Sequence, residues 1–162
     1  QIAFRRANRT VPLRMMTEHL LPFIDPPERK TPTARSSDLP SDPTGGMDVV
    51  GSLELNPANV VDYAREVGNQ IHSDPEFALS RGFRAPIAQG LMQLTALHGA
   101  IVNRAMPWEM DLEIRFLRPV FWDGALTLYG DPAGRRYSSL DQDGKLTAEA
   151  VLHHLTTENT EP

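Results

Sequence analysis

Asn69, His72 and Gly90 have the residue types and spacing to do chemistry. His72 lies in Gly68-Asn69-Gln70-Ile71-His72-Ser73-Asp74, a polar turn rather than an apolar helical face. An imidazole takes up and releases a proton near neutral pH. Asn69, three residues earlier, could orient that ring or bind water. Gly90 follows Ala88-Gln89 where a long helix is expected to open, and a first-turn amide has no partner inside its own helix. Such an N–H can hold an oxyanion as charge develops. A proton-handling group and an oxyanion donor together suit the addition of water to an acyl thioester, or its removal. Each residue also has a plainer reading: a solvent-facing loop histidine, a turn asparagine and a packing glycine.

Other polar residues give weaker signals. Thr95 and His98 fall inside the long helix. Thr95 could hydrogen-bond into the site, while His98 reads as a buried, satisfied histidine. His153-His154 is not a metal pair, because strand neighbours point to opposite faces. Asp141, Asp143 and Gly144 read as a hairpin rather than a calcium loop. No phosphate-binding loop, dinucleotide fingerprint or nucleophile elbow is present. The sequence has no cysteine, which excludes disulfides, thiol catalysis and thiolate metal sites. Neither a metal nor a cofactor is expected.

The elements that must position these residues follow from pattern. Of 162 residues, 40% are hydrophobic and 23% charged, which suits one globular domain with a real core. A net charge of −5 argues against nucleic acid as partner. No apolar run is long enough to span a membrane and no signal peptide is seen, so no membrane partner and a cytoplasmic location are expected. The first residue is Gln, so the chain reads as a fragment or a processed form. Residues 1–46 are expected to be an N-terminal arm, rich in Arg, followed by a Pro-rich linker. Residues 47–155 form the compact domain, and 156–162 a polar tail.

Within the domain, Val49 to Leu55 reads as a strand. Asn56-Pro57 starts a helix whose Val60, Val61, Ala64 and Val67 share a face, with Gly68 ending it. Ser73 or Asp74 caps a short helix over Pro75 to Ser80. From Ile87 a longer helix carries Leu91, Leu94, Leu97, His98, Ile101 and Val102 and should be largely buried. Strands are expected over 111–120, 125–129, 135–140 and 145–155, with a tight hairpin at Asp143-Gly144. The class is α+β: an antiparallel sheet, curled as a meander, wrapped around one central helix. An exposed sheet edge and helix face imply a homodimer or higher oligomer.

The run Tyr63-Ala64, Gly68-Asn69, Ile71-His72, Asp74-Pro75-Glu76-Phe77-Ala78, Gly82-Phe83, Pro86-Ile87-Ala88, Gly90-Leu91-Met92 resembles the MaoC-like, or R-specific enoyl-CoA hydratase, group of hotdog-fold proteins. The later run from Ile114 to Phe121, then Asp123-Gly124, is similar to the same group. The resemblance implies a hotdog fold and an acyl-CoA or acyl-carrier thioester substrate. It makes His72 the catalytic histidine, Asn69 its loop asparagine and Gly90 the oxyanion-holding amide. Thr95 and Gln89 are then substrate-binding, with Gln89 standing where a histidine often precedes the glycine.

The chain departs from the family in one loop, which ordinarily runs G-D-x-N-P-x-H. Here it is two residues shorter, and the aspartate has no counterpart. Glu66 is a candidate substitute, although it should point away from the site. The expected activity is a hydratase or dehydratase. The alternatives are an impaired acyl-binding hotdog protein, or a thioesterase. A carboxylate in hydrogen-bond reach of His72 would favour the enzyme; its absence would favour the binder.

Overall fold

The structure, a computed structural model, describes residues 44–157. The expected arm and linker up to residue 43, and the tail from 158, lie outside the described residues. The elements are β1 (Asp48–Glu54), α1 (Pro57–Ala64), a 3-10 turn (Gln70–His72), α2 (Pro75–Ser80), α3 (Gly90–Arg104), β2 (Glu109–Phe116), β3 (Ala125–Gly130), β4 (Arg136–Asp141) and β5 (Leu146–Thr156). The strands form one antiparallel sheet in the order β1-β3-β4-β5-β2. Only β3-β4-β5 is a meander. β2 does not pair with β3, its successor in sequence, because residues 117–124 carry the chain from the β5 edge across to β1's side.

Each helix starts where its chemistry allows. Asn56 Oδ1 accepts from the Asn59 amide at 2.9 Å, and Pro57 fills the first turn, where no donor is needed. Helix α1 stops at Ala64, earlier than the apolar spacing suggests, and the chain turns through to Gly68 at φ +68°. Its buried face is therefore Val60 and Ala64 alone. Val61 and Val67 are exposed, Val67 because helical spacing no longer applies beyond the helix end.

Helix α3 lies on the sheet through Gln93, Leu97 and Ile101, spaced i, i+4, i+8. Leu97 and Ile101 are fully buried against a core that includes Leu126, Leu128, Tyr137, Ala148 and Leu152. Each such burial contributes roughly 1.5–3 kcal/mol. The expected buried face was placed wrongly in part: Leu91 and His98 are exposed. Gln93 goes inside because the sheet offers it polar company. Ser139 Oγ donates to Gln93 Oε1 at 3.3 Å and lies 2.7 Å from Thr147 Oγ1, which donates to the Ser139 carbonyl at 3.0 Å.

A bulge in β5 changes the second histidine pair. Asp111 pairs with His154 and Leu112 with Leu152, which leaves His153 as the extra residue. Both histidines are consequently exposed rather than on opposite faces. His153 Nε2 lies 3.1 Å from Glu113 Oε2. Among the described residues no group of three or more metal-binding side chains comes together, and no helix is long and apolar enough to cross a membrane.

Candidate active site

The turn that carries His72 is built by two caps in series. Asn69 Oδ1 accepts from the Ile71 amide at 3.2 Å and opens the 3-10 turn. Asp74 Oδ1 accepts from the Glu76 and Phe77 amides at 2.9 and 3.1 Å and opens α2. With both ends fixed, the turn is stitched to the segment that leads into α3. The Ile87 amide donates to the Ile71 carbonyl at 3.1 Å. The His72 ring returns the contact, with Nδ1 2.7 Å from the Ile87 carbonyl oxygen.

That contact assigns the tautomer. A carbonyl oxygen only accepts, so Nδ1 carries the proton and Nε2 of the neutral ring keeps its lone pair. The half-buried ring is thus oriented with a basic nitrogen free of its anchor. Among the described residues, neither Asn69 nor a carboxylate orients it. Glu66 is exposed in the turn after α1 and makes no bond to His72.

Ile87 is three residues before Gly90, so at most ~10 Å of chain separates the ring's anchor from the first amide of α3. Segment 86–88 is also held on its other side: the Ala88 amide donates to the Val120 carbonyl at 2.7 Å, and the Trp122 amide to the Pro86 carbonyl at 3.0 Å. The helix entry is rigidly placed between the histidine turn and residues 120–122. At Gly90 a Cβ would stand 3.1 Å from the Phe116 ring, so the glycine allows that aromatic to lie over the helix start.

Gln89 is the N-cap residue of α3, yet its side chain makes no cap bond. It is 8% exposed, and Nε2 is buried without a hydrogen-bond partner among the described residues. An orphaned amide donor costs about 1–3 kcal/mol. Thr95, the other expected contact, is exposed, and its hydroxyl donates to the Leu91 carbonyl of its own helix at 2.8 Å.

Three contacts around this segment were not foreseen from the sequence. The Ile87 carbonyl is a backbone atom and leaves no residue-type signal. Phe116 falls in the expected 111–120 strand and in the Ile114–Phe121 run, with no sign there that it would be 46% exposed and rest on Gly90. Arg84 was not singled out. It donates through both terminal nitrogens to the Asp123 carboxylate, at 3.0 and 2.9 Å, with its guanidinium 4.0 Å from the Phe121 ring centre. The Arg84 hydrogen bonds hold the Asp123 carboxyl below its ordinary value, against the opposing effect of burial. At Asp131, burial pushes upward, but the Arg136 and Arg135 amides outweigh it and the net shift is downward.

A cleft of about 410 Å³ lies beside Arg84, Arg118, Phe121, Asp141, Asp143 and Lys145 and contains neither His72 nor Gly90. Its cations are already engaged: Arg84 by Asp123, Lys145 by Asp143, and Arg118 by the Leu146 carbonyl. The imidazole anchored to Ile87 lies outside this cleft.

One helix on a five-stranded antiparallel sheet, with a histidine turn tied to the helix entry, is the hotdog class of domain. Residues 39–150 match the family model described as the MaoC-like domain, and the chain belongs to that family. Among solved structures, HtdX from Mycobacterium tuberculosis is 27% identical, with a TM-score of 0.58 over 66% of this chain. The match covers 45% of HtdX, so this chain spans less than half of that protein. An (R)-hydratase from A. caviae involved in PHA biosynthesis is 21% identical, with a TM-score of 0.54 over 63% of this chain and 88% of its own. A MaoC-like dehydratase from Phytophthora capsici is 20% identical, with a TM-score of 0.57 over 69% of this chain and 41% of its own. These last two share the fold. No curated protein sequence matches significantly.

Proposed function

We propose that the domain hydrates enoyl thioesters, or dehydrates the corresponding 3-hydroxyacyl thioesters, with His72 as its single general acid/base. The observation that carries this is the Nδ1 contact to Ile87, which leaves Nε2 as the base. In the hydration direction Nε2 takes a proton from water as the water oxygen bonds to Cβ. The electron pair of the double bond moves to the thioester oxygen, where the Gly90 amide stabilises it. The imidazolium then returns the proton to Cα. One imidazole supplies both transfers, so the missing aspartate is not required for balance. Asn69 keeps its amide N–H groups for water, since its Oδ1 caps the turn.

Exposed Leu91 follows Gly90 and exposed Phe116 rests on it, which supports a second copy or the acyl chain as their cover. The test is turnover of short and medium trans-2-enoyl-CoA by the wild type and by His72→Ala. Hydration that disappears in the variant supports the reading; equal turnover in both rejects it.

The alternative is an acyl-thioester binder without turnover. It is favoured by the same contact seen differently: His72's partner is a neutral carbonyl, not a carboxylate that would stabilise the imidazolium. Saturable acyl-CoA binding with no hydration would select it.

A further inference from the structure

We propose that the side-chain amide of Gln89 is a second hydrogen-bond donor to the thioester carbonyl oxygen, beside the main-chain N–H of Gly90. The inference rests on the hydratase reading for its kinetics but not for its binding geometry. Three observations converge. Gln89 is more than nine-tenths buried, and its Nε2 has no acceptor among the described residues. It occupies the N-cap of a fifteen-residue helix without capping it, so its side chain is not spent on local structure. It adjoins Gly90, whose first-turn amide also has no partner within the helix.

A buried primary amide is an uncharged donor held away from bulk water. Fixed dipoles of this kind act strongly on an oxygen that gains negative charge, because they need no reorganisation during the reaction. With two donors from adjacent residues, one main-chain and one side-chain, the site discriminates for an acceptor oxygen. It would take a thioester or another acyl carbonyl and reject a ligand with an apolar group in that place. An isosteric apolar residue at position 89 would pack as well and would leave no orphan.

The test replaces Gln89 by Met, which keeps length and volume, with Gln89→Glu as the second variant if the first is not recovered folded. Expected for Gln89→Met is a fall in kcat of about 10²-fold on trans-2-butenoyl-CoA, with an unfolding temperature equal to or above that of wild type. A kcat within twofold of wild type, or a loss of thermal stability that shows a structural partner for the amide, overturns the inference. Wild-type turnover that is abolished in His72→Ala but unchanged in Gln89→Met rejects Gln89 alone. If the wild type does not turn over, the hydratase reading fails, and Gln89 is tested on bound butyryl-CoA. A thioester C=O stretch lowered in wild type and restored towards the free value in Gln89→Met supports the donor; equal stretches in both reject it.

Discussion

The His72 ring donates from Nδ1 to the Ile87 carbonyl at 2.7 Å, while the Ile87 amide donates to the Ile71 carbonyl at 3.1 Å. Two bonds in opposite directions lock the histidine turn to the strand-like entry of α3. The ring's orientation is therefore a property of the backbone, not of an acidic neighbour. In histidine-labelled protein, ¹⁵N–¹H correlation should show neutral His72 as the Nδ1–H tautomer. A dominant Nε2–H tautomer would remove the basis for Nε2 as the base.

Gly90→Ala separates packing from chemistry. The new Cβ would stand 3.1 Å from the Phe116 ring, which is half-exposed and has solvent to move into. Alanine also gains up to about 1 kcal/mol in helix propensity over glycine. Urea unfolding should move by less than about 1 kcal/mol in either direction, while turnover falls by about tenfold or more through displacement at the helix entry. A large loss of stability would mean that Phe116 is held in place.

Arg84 and Asp123 tie the 83–86 crossing to the turn before β3. Asp123's folded-state pKa lies below its ordinary 3.8, so the pair stabilises the fold above that value and loses its contribution as pH falls through the folded-state pKa. Both side chains are about half exposed, so the contribution is discounted to under about 1 kcal/mol. Asp123→Asn should be less stable than wild type at pH 6, with the gap closing below pH 3.8. A gap that does not narrow at all between pH 6 and pH 2 would show that the loss is steric.

Ser139→Ala removes the hydroxyl that bridges Gln93 and Thr147 in the core. It should cost about 1–3 kcal/mol in chemical denaturation, because buried polar atoms lose their partner. No measurable change would show that water replaces the hydroxyl.

Local signals in the chain were informative where the cause was local. Asn56-Pro57 and Asp74-Pro75 open helices at the expected places, and Asp143-Gly144 closes the β4–β5 hairpin. The sheet around α3 followed from the run of alternating segments after Pro107. The phase of α3 did not follow, because Met92, Ala96 and Ala100 carry apolar surface round the side opposite the leucines and the choice depended on Ser139 and Thr147, far away in sequence. The β2 crossover and the His153 bulge are pairing outcomes with no signature in residue type. His72, Asn69 and Gly90 stood out as chemistry-bearing residues, but the link between the first and last passes through the carbonyl of Ile87. Only the fold puts that atom there.

His72→Asn keeps a side-chain donor at the position of Nδ1, able to reach the Ile87 carbonyl, but removes the basic nitrogen. Single-turnover hydration of trans-2-butenoyl-CoA should slow by about 10²–10⁴-fold, with the unfolding temperature nearly unchanged. A rate within twofold of wild type would contradict the assignment of this imidazole as the group that moves the proton.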